Sequence, residues 1–220
     1  MIDRAGYPFI FAPLVIAVLL FFTDSSALAG FSLALSLICL AFFRDPNRVL
    51  PTGVSPDAVI SPADGKVLYA GPAQIEACPP GQWGQVSIFL SPLDVHVNRV
   101  PVNGRVTDVT YQAGKFFPAY DARSAVDNER SEITVNHEGQ VVIFRQIVGL
   151  LARRVVCRIK PGMTIVQGQR FGVMKFGSRM DVFVPTTAAI LVETGERVRS
   201  GETVIAVLSG ARKEPALKDQ

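Results

Sequence analysis

Histidine is scarce in this chain: 220 residues contain two, His96 and His137. Cysteine is hardly commoner, at positions 39, 78 and 157, and no two of the three stand at metal-ligand spacing. A His/Cys zinc site is therefore not expected, and the site residues include no metal ligands. Unpaired thiols suit a reducing compartment. A strong excess of one charge is also missing. Lys and Arg number 22 against 19 Asp and Glu, a net of +3. Nucleic-acid binding needs a dense basic stripe, which this balance does not supply, so no nucleic-acid partner is expected. The mild excess suits a surface beside anionic lipid.

Apolar sequence is plentiful, and it is unevenly spread. Hydrophobic residues make up 49% of the chain, with the excess before residue 44. Pro8 to Phe22 and Ala27 to Phe43 are two apolar runs separated by Thr23 to Ser26. Each falls short of the roughly 20 residues that cross a hydrocarbon core, so two short spans and a hairpin dipping partway both fit. Arg4 precedes the first run, Arg44 and Arg48 follow the second, and the link between them has no Lys or Arg. The positive-inside rule places both ends in the cytoplasm. A signal peptide is the rival reading, with Ala27-Leu-Ala29 as its cleavage site. It leaves a second greasy segment at the mature N-terminus. Residues 1–48 are thus read as a membrane-anchoring hairpin, and 49–220 as a β-rich catalytic domain.

After Arg48 the pattern changes to short apolar runs broken by Gly and Pro. Runs at Val67, Val86 to Leu90, Val106 to Tyr111, Ile133 to Val135, Val141 to Phe144, Val155 to Ile159, Asp181 to Val184 and Val204 to Leu208 read as strands. Most exceed strict alternation, which predicts burial on both faces of a barrel or sandwich. Ser124 to Arg130 is the best helix candidate of this part. Ile147 to Arg153 fits a short helix or a strand, and Ala211 to Gln220 reads as a frayed tail.

The glycines repeat. Gly162-Met-Thr-Ile-Val-Gln-Gly168 resembles Gly195-Glu-Arg-Val-Arg-Ser-Gly201, and Pro62-Ala-Asp-Gly65 resembles Pro101-Val-Asn-Gly104. Turn glycines with positive φ flanking a half-buried strand explain the first spacing. The rhythm is that of biotinyl/lipoyl-type barrel-sandwich domains, so the expected fold is mainly β, barrel-sandwich-like, behind a helical membrane hairpin. Met174-Lys175-Phe176 sits where such a carrier presents its modified lysine. A membrane-tethered carrier or adaptor with Lys175 as attachment site is therefore the second reading. It leaves the segments around Asp64 and His96 without a purpose, and fold alone does not give function.

Chemistry gathers around Phe176-Gly-Ser-Arg179. An ordinary Gly-Ser pair is a turn. A serine behind a glycine has a second use: its hydroxyl can approach the preceding carbonyl, and the glycine tolerates a strained peptide. Attack moves the acyl group from nitrogen to oxygen. β-Elimination of the ester and hydrolysis of the resulting enamine leave a ketone, a pyruvoyl group. The hydroxyl needs a base within reach. His96, in Leu90-Ser-Pro-Leu-Asp-Val-His96, has a suitable pKa; its bland alternative is a structural histidine. Asp64, alone a turn cap, could orient and charge-stabilise the imidazole. His137, in Asn136-His-Glu-Gly139, reads as part of a hairpin turn. Phe116 and Phe117 in the loop after Gly114 are candidates for substrate or interface contact, and Arg153 with Arg154 for phosphate; the plain readings are a core edge and solvated charge.

In order and spacing, seven segments together resemble the phosphatidylserine decarboxylases in their short, membrane-anchored form. They are Phe42-Phe-Arg-Asp-Pro-Asn-Arg48, Ser61-Pro-Ala-Asp-Gly-Lys-Val67, Leu90-Ser-Pro-Leu-Asp-Val-His96, Asp127-Asn-Glu-Arg130, Gly149-Leu-Leu-Ala-Arg-Arg154, Gln169-Arg-Phe-Gly172 and Phe176-Gly-Ser-Arg179. The resemblance covers nearly the whole chain. It implies a pyruvoyl-dependent carboxy-lyase made as a self-cleaving proenzyme, cut between Gly177 and Ser178. A β chain of 1–177 and an α chain of 178–220 would stay associated, and Ser178 would become the pyruvoyl cofactor. Asp64, His96 and Ser178 match the family's Asp, His and Ser positions. The implied substrate is phosphatidylserine in an anionic cell membrane, met by a catalytic domain on the cytoplasmic side, and the product is phosphatidylethanolamine. The ketone would serve as an electron sink while carbon dioxide leaves, with His96 returning a proton. Whether the assembly is a homodimer is left open. One departure is clear. Long members carry a second histidine three residues after the first, where this chain has Arg99, and Leu-Gly-Ser-Thr where it has Phe-Gly-Ser-Arg. His96 then serves both maturation and turnover, or water replaces one step.

Overall fold

A computed structural model describes residues 1–23, 25–74, 78–150, 155–175 and 177–209. The two apolar runs are helices, α1 (Tyr7–Phe21) and α2 (Ser26–Phe42). A 3-10 turn, Arg4–Gly6, leads into α1 and is capped by the Asp3 carboxylate. Pro8 lies in the first turn of α1, where a missing N–H is tolerated. Both helices are apolar all round, as lipid-facing helices are. Phe21 and Phe22 are 77% and 81% exposed, Phe31 69%. Arg4–Phe21 is long and apolar enough to cross a membrane by length and composition, and α2 is slightly shorter.

The remainder is antiparallel β structure: β1 (Ala58–Ile60), β2 (Gly65–Pro72), β3 (Trp83–Leu90), β4 (Val97–Arg99), β5 (Gly104–Gln112), then the single turn α3 (Ser124–Asp127), β6 (Arg130–His137), β7 (Gln140–Val148), β8 (Val155–Cys157), β9 (Thr164–Ile165), β10 (Arg170–Met174), β11 (Ser178–Pro185), β12 (Ala189–Ile190), β13 (Arg197–Val198) and β14 (Val204–Val207). Eight strands form one sheet in the order β13-β2-β3-β11-β7-β6-β5-β9, and two three-stranded sheets run β1-β14-β12 and β4-β10-β8. One core draws side chains from all three, among them Val59, Ile88, Phe144, Phe171, Met180 and Ile205. The smaller sheets therefore pack on the inner face of the long one, a curled arrangement close to the expected sandwich.

Strand position in the sheet decides burial. The central strands β3, β7 and β11 are buried on both faces, whereas β6 alternates and β5 is largely exposed outside. On the outer face a polar row crosses four strands. Ser87, Asp181, Arg145 and Glu132 stand opposite one another. Arg179 donates to Asp181 at 2.7 Å and to Ser87 at 3.0 Å, and Arg145 pairs with Glu132. The glycine echo has the predicted geometry. Gly162, Gly168, Gly195 and Gly201 have φ of 84°, 79°, 100° and 77°, and they flank β9 and β13, the two outer strands of the long sheet.

The helix expected over Ser124 to Arg130 is shorter in the structure, because Lys115 takes hold of the chain there. Its amide donates to Asp127 O (2.7 Å) and its carbonyl accepts from Glu129 N (3.1 Å), so Arg130 opens a strand instead. Ile147 and Val148 complete β7; Leu151 to Arg154 and the tail from 210 lie outside the described residues.

The hairpin is built into the β structure. Ile10, Cys39, Phe42 and Phe43 pack with Val95, Val97 and Val173. Buried Asp45 pairs with Arg99 at 3.1 Å and Arg170 at 2.5 Å, and Asp3 pairs with Arg158 at 2.8 Å. Arg99 also donates to the carbonyls of Pro46 and Gly168. Removing one partner of a buried pair leaves an uncompensated charge. We expect Asp45→Ala to weaken this seam by about 3 kcal/mol. Trypsin cleavage at Arg44 or Arg48 should then quicken by roughly 100-fold where it follows the opened population.

Candidate active site

Ser178 is the first residue of β11, paired with Leu90 on one side and Val148 on the other. It is fully buried. Its Oγ has no hydrogen-bond partner among the described residues. Leaving a buried hydroxyl unpaired costs about 1–3 kcal/mol, and such groups call for a functional explanation. Gly177, just ahead, has φ +76°, a left-handed conformation that favours glycine. A Cβ there would meet open space. The requirement for glycine thus comes from the backbone bend and not from crowding of the hydroxyl's approach. Gly149 adds a second constraint: a Cβ on it would lie 2.1 Å from Gly177 O. The carbonyl of the Gly177–Ser178 peptide is seated against the bare backbone of the residue following β7.

His96 reaches the same bend. Its Nε2 accepts from the Gly177 amide at 3.4 Å, and its Nδ1 donates to the Asp94 carbonyl at 2.9 Å. These two bonds assign the tautomer, with Nδ1 protonated and the Nε2 lone pair facing the bend. The ring is buried, and burial pushes its pKa down to about 4 against the upward pull of Asp94; Arg44 lowers it further. At neutral pH it is an uncharged base. The sequence reading did not single out Asp94. Its signal lay in Ser91-Pro-Leu-Asp94, a turn closed by Ser91 N donating to the Asp94 carboxylate at 2.8 Å.

The other expected site residues are placed differently. Among the described residues, Asp64 bonds Arg48 at 2.7 Å and the Ser200 amide at 2.7 Å. It does so in a cavity of about 410 Å³ lined by Arg44, Asp45, Arg48, Val95 and Arg199. Burial raises its pKa, opposed by the Ser200 amide and Arg48. The structure brings His96 to the Gly177 amide, one residue from Ser178, while Asp64's hydrogen bonds lead to Arg48 and Ser200. His137 is a structural residue, bonded to Asn103 O at 2.9 Å and to Asp57 at 3.4 Å, ahead of the turn at Glu138 and Gly139 with φ 50° and 90°.

A second cavity, about 190 Å³, abuts Gly177 and is lined by Phe89, Pro92, Pro118, Ala119, Tyr120 and Leu150. The loop that carries Phe116 and Phe117 lines it with its next three residues. The Phe117 ring lies under the Arg123 guanidinium at 4.4 Å. Asn128 fixes the loop by exchanging two hydrogen bonds with the Phe117 backbone and donating to Val148 O, each at 2.8 Å. Arg153, Arg154 and Phe176 lie outside the described residues. Lys175 is half-buried, with Nζ 4.5 Å over the Phe9 ring, unlike a carrier lysine offered at an exposed tip.

The buried imidazole carries a pH dependence. Between pH 6.5 and about 4 the unfolded chain takes up a proton at His96 that the folded chain refuses, so acidification through that window lowers stability. NMR of an uncut Ser178→Ala protein should show a neutral Nδ1–H ring at pH 7 with a midpoint near 4; a midpoint near 6.5 would contradict the buried geometry.

The family profile described as phosphatidylserine decarboxylase matches residues 35–206. Among similar proteins, one from Geobacter metallireducens is 41% identical over 94% of this chain and 96% of its own length. One from Prosthecochloris aestuarii is 45% identical over 80% of each, and one from Rickettsia felis is 40% identical over 94% of this chain and 90% of its own. All three are named phosphatidylserine decarboxylase proenzyme. With more than half of its length matched by the profile and at least 80% of each of these relatives covered, the chain belongs to the phosphatidylserine decarboxylase family.

Proposed function

We propose that this protein decarboxylates phosphatidylserine to phosphatidylethanolamine with a pyruvoyl group made from its own Ser178. The observation that carries this reading is the buried Ser178 hydroxyl, without a partner among the described residues, behind a left-handed glycine whose amide rests on a neutral imidazole. The carrier alternative is not favoured, given the family and the setting of Lys175.

Maturation follows from these residues. His96 Nε2 takes the Oγ proton as Oγ bonds to the Gly177 carbonyl carbon. The Gly177–Ser178 C–N bond then breaks, and its nitrogen receives that proton. Loss of the Ser178 Cα proton expels the Gly177 carboxylate from Cβ. Water adds to the enamine and ammonia departs, leaving the ketone. The surroundings fit such a group: a buried strand start, a glycine-backed carbonyl, and a base aimed at the bend. When formed, it supplies an electron sink for decarboxylation. His96 holds and returns the proton in turnover. Asp94 holds the ring through its carbonyl and lends it negative charge, and Asp64, which feels the Asp94 charge in turn, is held by Arg48 and the Ser200 amide.

The two chains stay together because β11 is an interior strand, hydrogen-bonded to β3 and β7 of the 1–177 part. β14 pairs with β1 and β13 with β2, while Asp64 and Arg48 reach Ser200 and Glu202. A diacyl lipid resists leaving its bilayer, at about 0.8 kcal/mol per buried CH₂, which suits an enzyme carried on an apolar hairpin. Arg4, Arg44 and Arg48 at the hairpin's ends support a cytoplasmic catalytic domain.

Purified protein should run as two fragments on a denaturing gel and as one particle under native conditions. Ser178→Ala should remain a single, inactive chain; an active uncut chain would end the proposal. Gly149→Ala, which drives a methyl into Gly177 O, should slow self-cleavage by roughly 100-fold, the scale of a misplacement near 1 Å, in a time course of newly made precursor.

A further inference from the structure

The hairpin reaches the reaction centre through a continuous run of rings. Phe42, the last residue of α2, lies against the His96 imidazole with centroids 4.0 Å apart and planes tilted by 33°. Phe43 meets Phe42 edge-on at 5.1 Å, and Phe9 of α1 stacks on Phe43 at 5.6 Å. Lys175, just past β10 and two residues before Gly177, sits over the Phe9 ring. One helix of the hairpin thus touches the base, and the other touches the segment that enters the bend. Arg44 adds a third tie. It donates to Leu93 O at 2.6 Å, in the turn whose Asp94 carbonyl holds His96. A tether would need only a covalent link to the domain. These contacts are sited where ring orientation and hydration of His96 are decided.

We propose that the hairpin is a working wall of the active site, with Phe42 as the positioning residue that fixes the His96 ring plane and keeps water from it. This rests on the reading of His96 as the base. The charged groups facing the imidazole are Asp94 on its own loop and Arg44 at the end of α2. Lys175, from the β10 side, is engaged with Phe9. Without the Phe42 ring, water reaches the imidazole, protonation becomes easier, and a base that must be neutral fails at a higher pH.

The test uses the full-length protein in detergent micelles with short-chain phosphatidylserine, so that membrane attachment is not limiting. Phe42→Leu should slow both self-cleavage and kcat by roughly tenfold or more with KM little changed. It should also move the acid limb of both profiles up by about one pH unit. Phe42→Tyr, which keeps the ring, should restore the rate and the limb. Phe42→Met carries the same expectation as Phe42→Leu should the leucine variant not fold. Phe31→Ala, on the exposed face of α2, should weaken vesicle binding and leave micellar rates unchanged. Wild-type rates and an unmoved acid limb in a folded Phe42→Leu or Phe42→Met protein overturn the proposal. His96→Ala separates the two readings. If it stays active, the base assignment itself is wrong. If it is inactive while ring-less Phe42 variants behave as wild type, only the role of the hairpin falls.

Discussion

The rest of the structure depends on one peptide. The chain leaves Gly177 in a left-handed bend and enters the middle of an eight-stranded sheet at the next residue. On each side of β11 a long strand is hydrogen-bonded to it, so the start of the strand cannot shift to relieve the bend. Ser178 is trapped there with its hydroxyl inside the protein and, among the described residues, nothing to bond. The unmade hydrogen bond and the left-handed backbone are local costs, borne because β3 and β7 hold the strand on both edges. Bare backbone at Gly149 lets the Gly177 carbonyl rest where a side chain would exclude it. The imidazole completes the arrangement, with its protonated nitrogen committed to a backbone carbonyl and its lone pair facing the bend.

Burial serves two purposes around this peptide. It keeps His96 uncharged at neutral pH, which a base requires, and it makes each charge at the hairpin seam depend on its partner. Arg99 shows the second effect. Its guanidinium binds Asp45 and the Pro46 and Gly168 carbonyls, joining the exit of the hairpin to the strand beside β10. With that position given over to a structural clamp, His96 is the histidine near the bend, consistent with one residue serving both maturation and turnover.

Much of this was legible in the sequence because it depends on local pattern. Apolar runs beginning at Pro8 and Ala27 mark α1 and α2. The glycine rhythm at 162, 168, 195 and 201 marks the turns around β9 and β13, and the motif at Phe176 marks the bend. What was not legible depends on pairs far apart in the chain. Nothing in Gly149 announces that Gly177 O will press on it, nor in Phe42 that His96 will lie against its ring. Asp64 reads as a turn aspartate by sequence and Asp94 draws no notice there; only the fold puts the Asp94 carbonyl on the imidazole. Ser124 to Arg130 reads as helical until Lys115 pairs with the backbone on either side of Asn128.

The most direct measurement is the intact mass of the fragment that begins at residue 178. If the trapped serine has become a ketone, that fragment is lighter than a serine-ended peptide by one ammonia. A fragment of full serine mass from active enzyme would contradict the central claim.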